Sequence, residues 1–275
     1  MNKIDKRLHF LLGKVKEECK KVKELSDYEL KNKTLEFKER LHNGETTDDL
    51  LPEAFAVCCE ADYRVLGMFP YDVQILGGIA LHLCYLCEMN TGEGKTLTAT
   101  MPMYLNGLTQ KSSILVTANE YLAIRDAEEM GQVYKFLGLS VEAGVKRDTN
   151  EKLDNDSKKD VYAADIVYTT HGSLGFDYLL NNLVQSKEDR FMRDFYYVII
   201  DEADSVLLDS ASMPLVISGS PRVQSNLYGI TDFFVTTLVE DVHYEIEDKK
   251  VWLTKEGVEY VQRYFRIENL YGEEN

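Results

Sequence analysis

The stretch Glu88-Met89-Asn90-Thr91-Gly92-Glu93-Gly94-Lys95-Thr96-Leu97 constrains this chain more than any other. The apolar run Cys84-Tyr85-Leu86-Cys87 precedes it and reads as a strand. A glycine-bearing loop follows, ends in Gly-Lys-Thr, and opens a helix near Leu97. A strand, a glycine loop and a helix in that order build an anion cradle, because loop amides and the positive helix end face one point. In a phosphate-binding loop of this kind Lys95 reaches the β- and γ-phosphates of a nucleotide and the Thr96 hydroxyl coordinates Mg²⁺. Met89 stands where the usual pattern has its first glycine. A chance Gly-Lys-Thr at a helix start is the competing reading, and a second element has to decide between them.

Phe195-Tyr196-Tyr197-Val198-Ile199-Ile200 is that element, a continuous apolar run that predicts a strand buried on both faces. It delivers Asp201-Glu202-Ala203-Asp204 at its end, where parallel sheets carry their active-site residues. Asp201 can hold Mg²⁺ through its water shell, and Glu202 can orient or deprotonate an attacking water. A solvated acidic turn would explain the four residues alone, but not their pairing with an upstream Gly-Lys-Thr loop. Gln74 precedes that loop where a side-chain amide could read the adenine edge, offering both donor and acceptor. Taken singly it reads equally well as a surface glutamine.

Between the two motifs the pattern alternates. Ser113 to Thr117 is a β-branched strand and Glu120 to Leu137 a helix. Lys146 to Lys159 is a polar surface loop, Ile166 to Thr169 a strand, and Gly172 to Tyr178 the opening of a further helix. Such alternation predicts an α/β fold with a parallel sheet and helices on both faces. Upstream, helical patterning runs to about Gly67, broken at His42-Asn43-Gly44, with Pro52 starting a segment. Near the end, Tyr244-Glu245-Ile246-Glu247 and Val251-Trp252-Leu253-Thr254, joined through Asp248-Lys249-Lys250, read as a hairpin.

Charge separates the first residues from the rest. The formal net charge is −16 and the sequence pI about 4.8, which gives no basic footprint for nucleic acid. Residues 1–23 nevertheless carry eight basic and three acidic side chains, a net of +5 that leaves −21 for the remaining 252 residues. Ile4, Leu8, Leu11, Leu12, Val15, Cys19 and Val22 fall on one stripe of a helix there. A basic amphipathic helix suits an anionic membrane surface; equally, the stripe could pack on the domain beneath it. No apolar run is long enough to span a membrane and no secretory leader is visible, so a cytosolic chain is expected. Five cysteines in unpatterned positions fit reduced thiols. Cys84-x-x-Cys87 is half a zinc site with no second half, and core cysteines account for it.

Asp72-Val73-Gln74-Ile75-Leu76-Gly77-Gly78, the long Glu88-Met89-x-Thr91-Gly92-Glu93-Gly94-Lys95-Thr96-Leu97-Thr98-Ala99-Thr100, and Tyr121-Leu122-Ala123-x-Arg125-Asp126-Ala127-Glu128 stand in that order along the chain. Together these three strings resemble the SecA family of bacterial protein-export ATPases. Gly175-Phe176-Asp177-Tyr178-Leu179 and Pro214-Leu215-Val216-Ile217-Ser218-Gly219 extend the likeness over essentially the whole chain, and Met89 is ordinary for that family. The resemblance implies a RecA-like P-loop domain at 66–219, preceded by N-terminal helices at 1–65 and followed at 220–275 by part of a smaller α+β domain, the preprotein cross-linking domain. It implies that Met68, Tyr71 and Gln74 contact adenine, that Gly92, Glu93, Gly94, Lys95 and Thr96 hold the phosphates of ATP and Mg²⁺, and that Asp201 and Glu202 serve metal and water. Its implied partners are a SecY-type export channel, preproteins, and anionic lipid through residues 1–23. The implied location is cytoplasmic, on the inner face of the cell membrane.

Two departures from the housekeeping pattern resemble the accessory SecA paralogue of Gram-positive bacteria, which exports a narrow set of proteins. Asp209-Ser210-Ala211-Ser212-Met213-Pro214 stands for Asp-Glu-Ala-Arg-Thr-Pro, and the acidic motif has Ala203 where valine is common. A DEAD-box RNA helicase would share both main motifs, but should show Ser-Ala-Thr after the second; residues 225 to 245 do not. A non-catalytic nucleotide-binding module is the other alternative.

Overall fold

The computed structural model describes residues 3–146, 155–217, 227–248 and 250–271. They belong to two compact units, Met1–Ile217 and Ser218–Asn275. Residues 147–154, within the predicted polar loop, Ser218 and Gly219 of the last matched string, and Lys249 of the hairpin turn lie outside the described residues.

The first unit begins with helices α1 (Lys3–Val22), α2 (Asp27–His42), α3 (Thr47–Leu66) and α4 (Asp72–His82). Each start has a local cause. Ser26 with Glu29, and Thr46 with Asp49, form capping boxes that satisfy orphan amides at the starts of α2 and α3. With Thr46 as the cap, α3 begins before Pro52, which lies inside the helix and starts nothing. Gly67, at φ 71°, ends it in a left-handed turn. The α1 stripe packs inward: Leu12, Val15 and Val22 are buried, with Leu8, Leu11 and Cys19 partly so.

Helix α5 (Lys95–Gly107) follows the glycine loop and is buried at every position from Leu97 to Gly107. Gly77 and Gly78 let α4 press against it. A Cβ on Gly78 would stand 3.2 Å from both Phe55 and the Thr98 carbonyl, and one on Gly77 3.0 Å from the Thr98 methyl. Strand β1 (Ser112–Thr117) leads through α6 (Glu120–Glu129) and α7 (Gly131–Phe136) to β2 (Val141–Ala143), then through α8 (Asn155–Ala163) to β3 (Ile166–Thr170). Helix α9 (His171–Leu183) then leads to β4 (Phe195–Ile200). All four strands pair in parallel, in the order β2-β3-β1-β4. Leu115, Tyr168 and Ile199 face the core shared with α1 to α5 and α7, while Ile114, Val116 and Val167 face the cluster of Val161, Tyr162 and Phe191. The sheet therefore has apolar layers on both faces, the architecture expected of a RecA-like domain.

Four local expectations change. Cys84–Cys87 is neither a strand nor a pair of core cysteines: Cys84 turns at φ 60° after α4 and is exposed, the Tyr85 amide bonds back to Ala80, Leu86 is 90% exposed and Cys87 is half-buried. The helix over 120–137 is divided at Met130. Residues 155–159 belong to α8, not to a loop. β4 lies at a sheet edge, so Phe195, Tyr196 and Val198 are exposed and only Ile199 is buried.

The second unit is α+β. It holds α10 (Leu227–Val235), the antiparallel hairpin β5 (Tyr244–Glu247) and β6 (Lys250–Leu253), and α11 (Lys255–Phe265). Phe234 of α10 is its buried centre, ringed by Tyr260, Tyr264 and Phe265.

Candidate nucleotide site

The loop before α5 is turned by Gly92 and Gly94, at φ 88° and 83°, a conformation that glycine adopts without strain. A Cβ on Gly94 would stand 2.2 Å from Gln74 Nε2, so a side chain there would displace the Gln74 amide from the loop. Gln74 is buried and clamps two segments. Its Nε2 donates to the Glu93 carbonyl at 2.8 Å and its Oε1 accepts the Tyr71 amide at 2.8 Å. Glu93 closes the loop on itself by accepting from the Asn90 side chain at 3.0 Å and the Asn90 amide at 2.9 Å, which hold its carboxyl below the usual range. The loop carbonyl of Gly94 accepts the Thr98 amide at 3.0 Å, so the amides of the first helical turn have no helical acceptor.

The acidic motif arrives beside it. The Asp201 amide donates to the Val116 carbonyl at 2.9 Å, extending the β1–β4 ladder past the last strand residue. Glu202 then turns at φ 50°, a left-handed conformation rare for a non-glycine residue, and its amide donates to Asp201 Oδ1 at 3.0 Å. This turn brings Glu202 Oε1 to 3.0 Å from Lys95 Nζ, across 107 residues of sequence. The hydrogen bond to Glu202, reinforced by the charges of Glu202, Asp201 and Asp204, holds the Lys95 ammonium above its ordinary range. The chain continues as a π-helical turn, Ser205–Asp209, a form frequent at functional sites.

Gln74 is thus bonded to Glu93, and Lys95 to Glu202, whose amide rests on Asp201, while Gly92 and Gly94 turn the loop between them and Thr96 follows Lys95 in the first turn of α5. Met68 and Tyr71 are tied only through their backbones, and the Tyr71 ring is 75% exposed. A hollow of about 810 Å³ between Tyr63 and Val73 is lined by Phe69 and Tyr71, but not by Met68 or Gln74. Sequence reasoning assigned no role to Asp126, whose carboxyl is pushed up by burial despite Arg125 at 2.6 Å, with the charge of Asp201 acting in the same direction. It assigned none to Asn90, whose only signal is its spacing from Glu93.

Known proteins bear on this geometry. The family model described as the SecA DEAD-like domain matches residues 1–268. The chain belongs to the SecA family. It is similar to the protein translocase subunit SecA 2 of Streptococcus sanguinis, 58% identical over 271 residues that make up 98% of this chain and 34% of that protein. It is 53% identical to SecA 2 of Streptococcus gordonii over 98% of this chain and 34% of the relative. With SecA 2 of Staphylococcus aureus strain Newman it shares 53% over 92% of this chain and 32% of the relative. These names agree with the resemblance to the accessory paralogue drawn from residues 203 and 209–214. The chain spans about a third of the length of these SecA relatives. Among the described residues no helix is long and apolar enough to cross a membrane.

Proposed function

We propose that this chain is the ATP-binding part of a motor that couples ATP hydrolysis to the export of preproteins through a SecY-type channel, serving the narrow substrate set of the accessory paralogue. The observation that carries the reading is the Lys95–Glu202 contact, which joins a glycine loop to a strand-end acid pair. The residues fit the ligand: left-handed glycines open the loop, Gln74 lies close against Gly94, and the Lys95 ammonium meets the Glu202 carboxylate beside Asp201. Met68, Tyr71 and Gln74 would take the adenine, Gly92 to Thr96 the phosphates, and Thr96 and Asp201 the magnesium. When bound, magnesium supplies charge neutralisation on the phosphates. Lys95 leaves Glu202 for the phosphates, which frees the Glu202 carboxylate to orient water. Calorimetric titration with ATP and Mg²⁺ should show binding to this chain and none to Lys95→Ala; equal affinities would overturn the assignment.

In this reading residues 1–65 are N-terminal helices, 66–219 the first nucleotide-binding domain, and 220–275 part of a preprotein cross-linking domain. Turnover by the 275-residue chain alone is expected to be slow, because arginines that complete such sites from elsewhere supply roughly 10³ to 10⁵ in rate. Residues 1–23 would dock anionic lipid on the cytoplasmic face of the membrane. Since the α1 stripe is packed, the contact would use its basic face and the exposed Phe10. Vesicle flotation in low salt should weaken on deleting residues 1–23 or on omitting anionic lipid.

A further inference from the structure

Asp62, just before the last turn of α3, has no solvent-accessible surface. Its Oδ2 lies 2.9 Å from Thr100 Oγ1, one turn beyond Thr96 on α5, and its Oδ1 has no hydrogen-bond partner. Thr100 Oγ1 also lies 2.7 Å from the Leu97 carbonyl. A threonine hydroxyl carries one hydrogen, and a carbonyl can only accept. If the Thr100 hydrogen serves Leu97, the shorter contact, the hydrogen between Thr100 and Asp62 has to come from Asp62. The groups facing Asp62 agree: Cys58 and Cys59 on its own helix, Tyr134 on α7 and Tyr168 on β3 are buried and uncharged, and among the described residues no cation pairs with it. A carboxylate there would be a buried charge without compensation.

We propose that Asp62 is a neutral carboxylic acid at neutral pH and a positioning residue for the nucleotide site, donating its proton to Thr100 and so fixing the helix that carries Lys95 and Thr96. The role in nucleotide binding rests on the function proposed above; the protonation does not. Asp62 stands at a junction, because its backbone carbonyl also accepts the Met68 amide at 3.4 Å, at the start of the segment assigned to adenine. Burial pushes its carboxyl well above the ordinary value. The fold therefore favours the protonated form. That contribution is complete below about pH 4, the unfolded carboxylate value, and is lost as pH rises toward the folded one.

Infrared difference spectra of this chain at pH 7, wild type against Asp62→Asn, test the protonation. A carbonyl band of a protonated carboxyl group, present in wild type and absent from the variant, is expected; its absence from wild type overturns the proposal. Asparagine keeps a donor to Thr100 without a charge. Asp62→Asn should therefore bind ATP and Mg²⁺ within about twofold of wild type, while Asp62→Ala should bind roughly tenfold more weakly, the effect of one lost buried hydrogen bond. The thermal stability of Asp62→Asn relative to wild type should rise as pH increases from about 4 to 8. If Asp62→Ala fails to fold, Thr100→Val, of the same shape, should show the same loss. Wild-type affinity in Asp62→Ala or, where that fails to fold, in Thr100→Val overturns the positioning role. If wild type itself binds no nucleotide, the proposed function fails while the infrared test still stands.

Discussion

The two halves of the candidate nucleotide site are built in opposite ways. The phosphate-loop half is over-determined. Helix α5 is buried at every position from Leu97 to Gly107, α4 presses on it through Gly77 and Gly78, and Gln74 clamps the loop from behind. The acidic half hangs on an edge strand. Among the described residues β4 has β1 on one side only, and Phe195, Tyr196 and Val198 are exposed; Asp201 and Glu202 are held by three hydrogen bonds of the backbone, to Val116, to Asp201 Oδ1 and from Val206, and by one exposed ion pair. Packing thus holds the loop that carries Lys95 rigid and leaves the strand end that carries Asp201 and Glu202 adjustable. In the function proposed above, the first part would grip nucleotide while the second would answer to events elsewhere.

Substitutions can break this contrast, and the largest effect should come from the rigid half. Leu105→Ala in α5 removes a fully buried side chain and should cost about 2–5 kcal/mol of stability by chemical denaturation. Lys95→Ala should leave stability nearly unchanged yet lower turnover of the full-length protein by roughly a hundredfold or more. Gly94→Ala places a Cβ against Gln74 in a left-handed backbone; a loss of about 1–2 kcal/mol is expected in thermal unfolding. Shortening Gln74 to Ala in the same chain should relieve the collision but not the backbone strain. Smallest of all, Val198→Ser on the exposed edge should stay within about 0.5 kcal/mol of wild type in this chain. A cost above about 1 kcal/mol there would end the comparison, because it would show the edge to be packed.

The same contrast explains what could be read from the sequence. The glycine loop and Asp201-Glu202 are legible because their chemistry is local: two glycines, a lysine and a hydroxyl in a fixed order, or two acids after an apolar run. Sheet order is not local. Nothing in Phe195 to Ile200 shows that β4 takes an edge, and an apolar run such as Cys84 to Cys87 becomes a strand only where a neighbouring strand accepts it. Gln74 could be read as an adenine contact or a surface residue, but its bond to Glu93 spans 19 residues and is set by how α4 docks. Asp62 and Thr100 are 38 residues apart, and no spacing rule connects a helix end to the second turn of another.

The topology also sets a timetable. Helices α1 to α4 are complete once residue 82 is made, and α1 already has both α3 and α4 to pack against, while α2 packs on α3. The central strand β1 is synthesised well before either neighbour: Ser113 pairs with Ile166 on one side and Tyr197 on the other. During synthesis, which delivers the N-terminus first, the helical layer should therefore consolidate while β1 waits with both edges open. Pulse-labelled hydrogen exchange during refolding should show amides of α3 protected ahead of those of β1. A chain made in this order presents an unpaired strand, buried along its whole length in the finished fold, to its surroundings until β3 and β4 emerge, and that interval is when this fold is most exposed to aggregation.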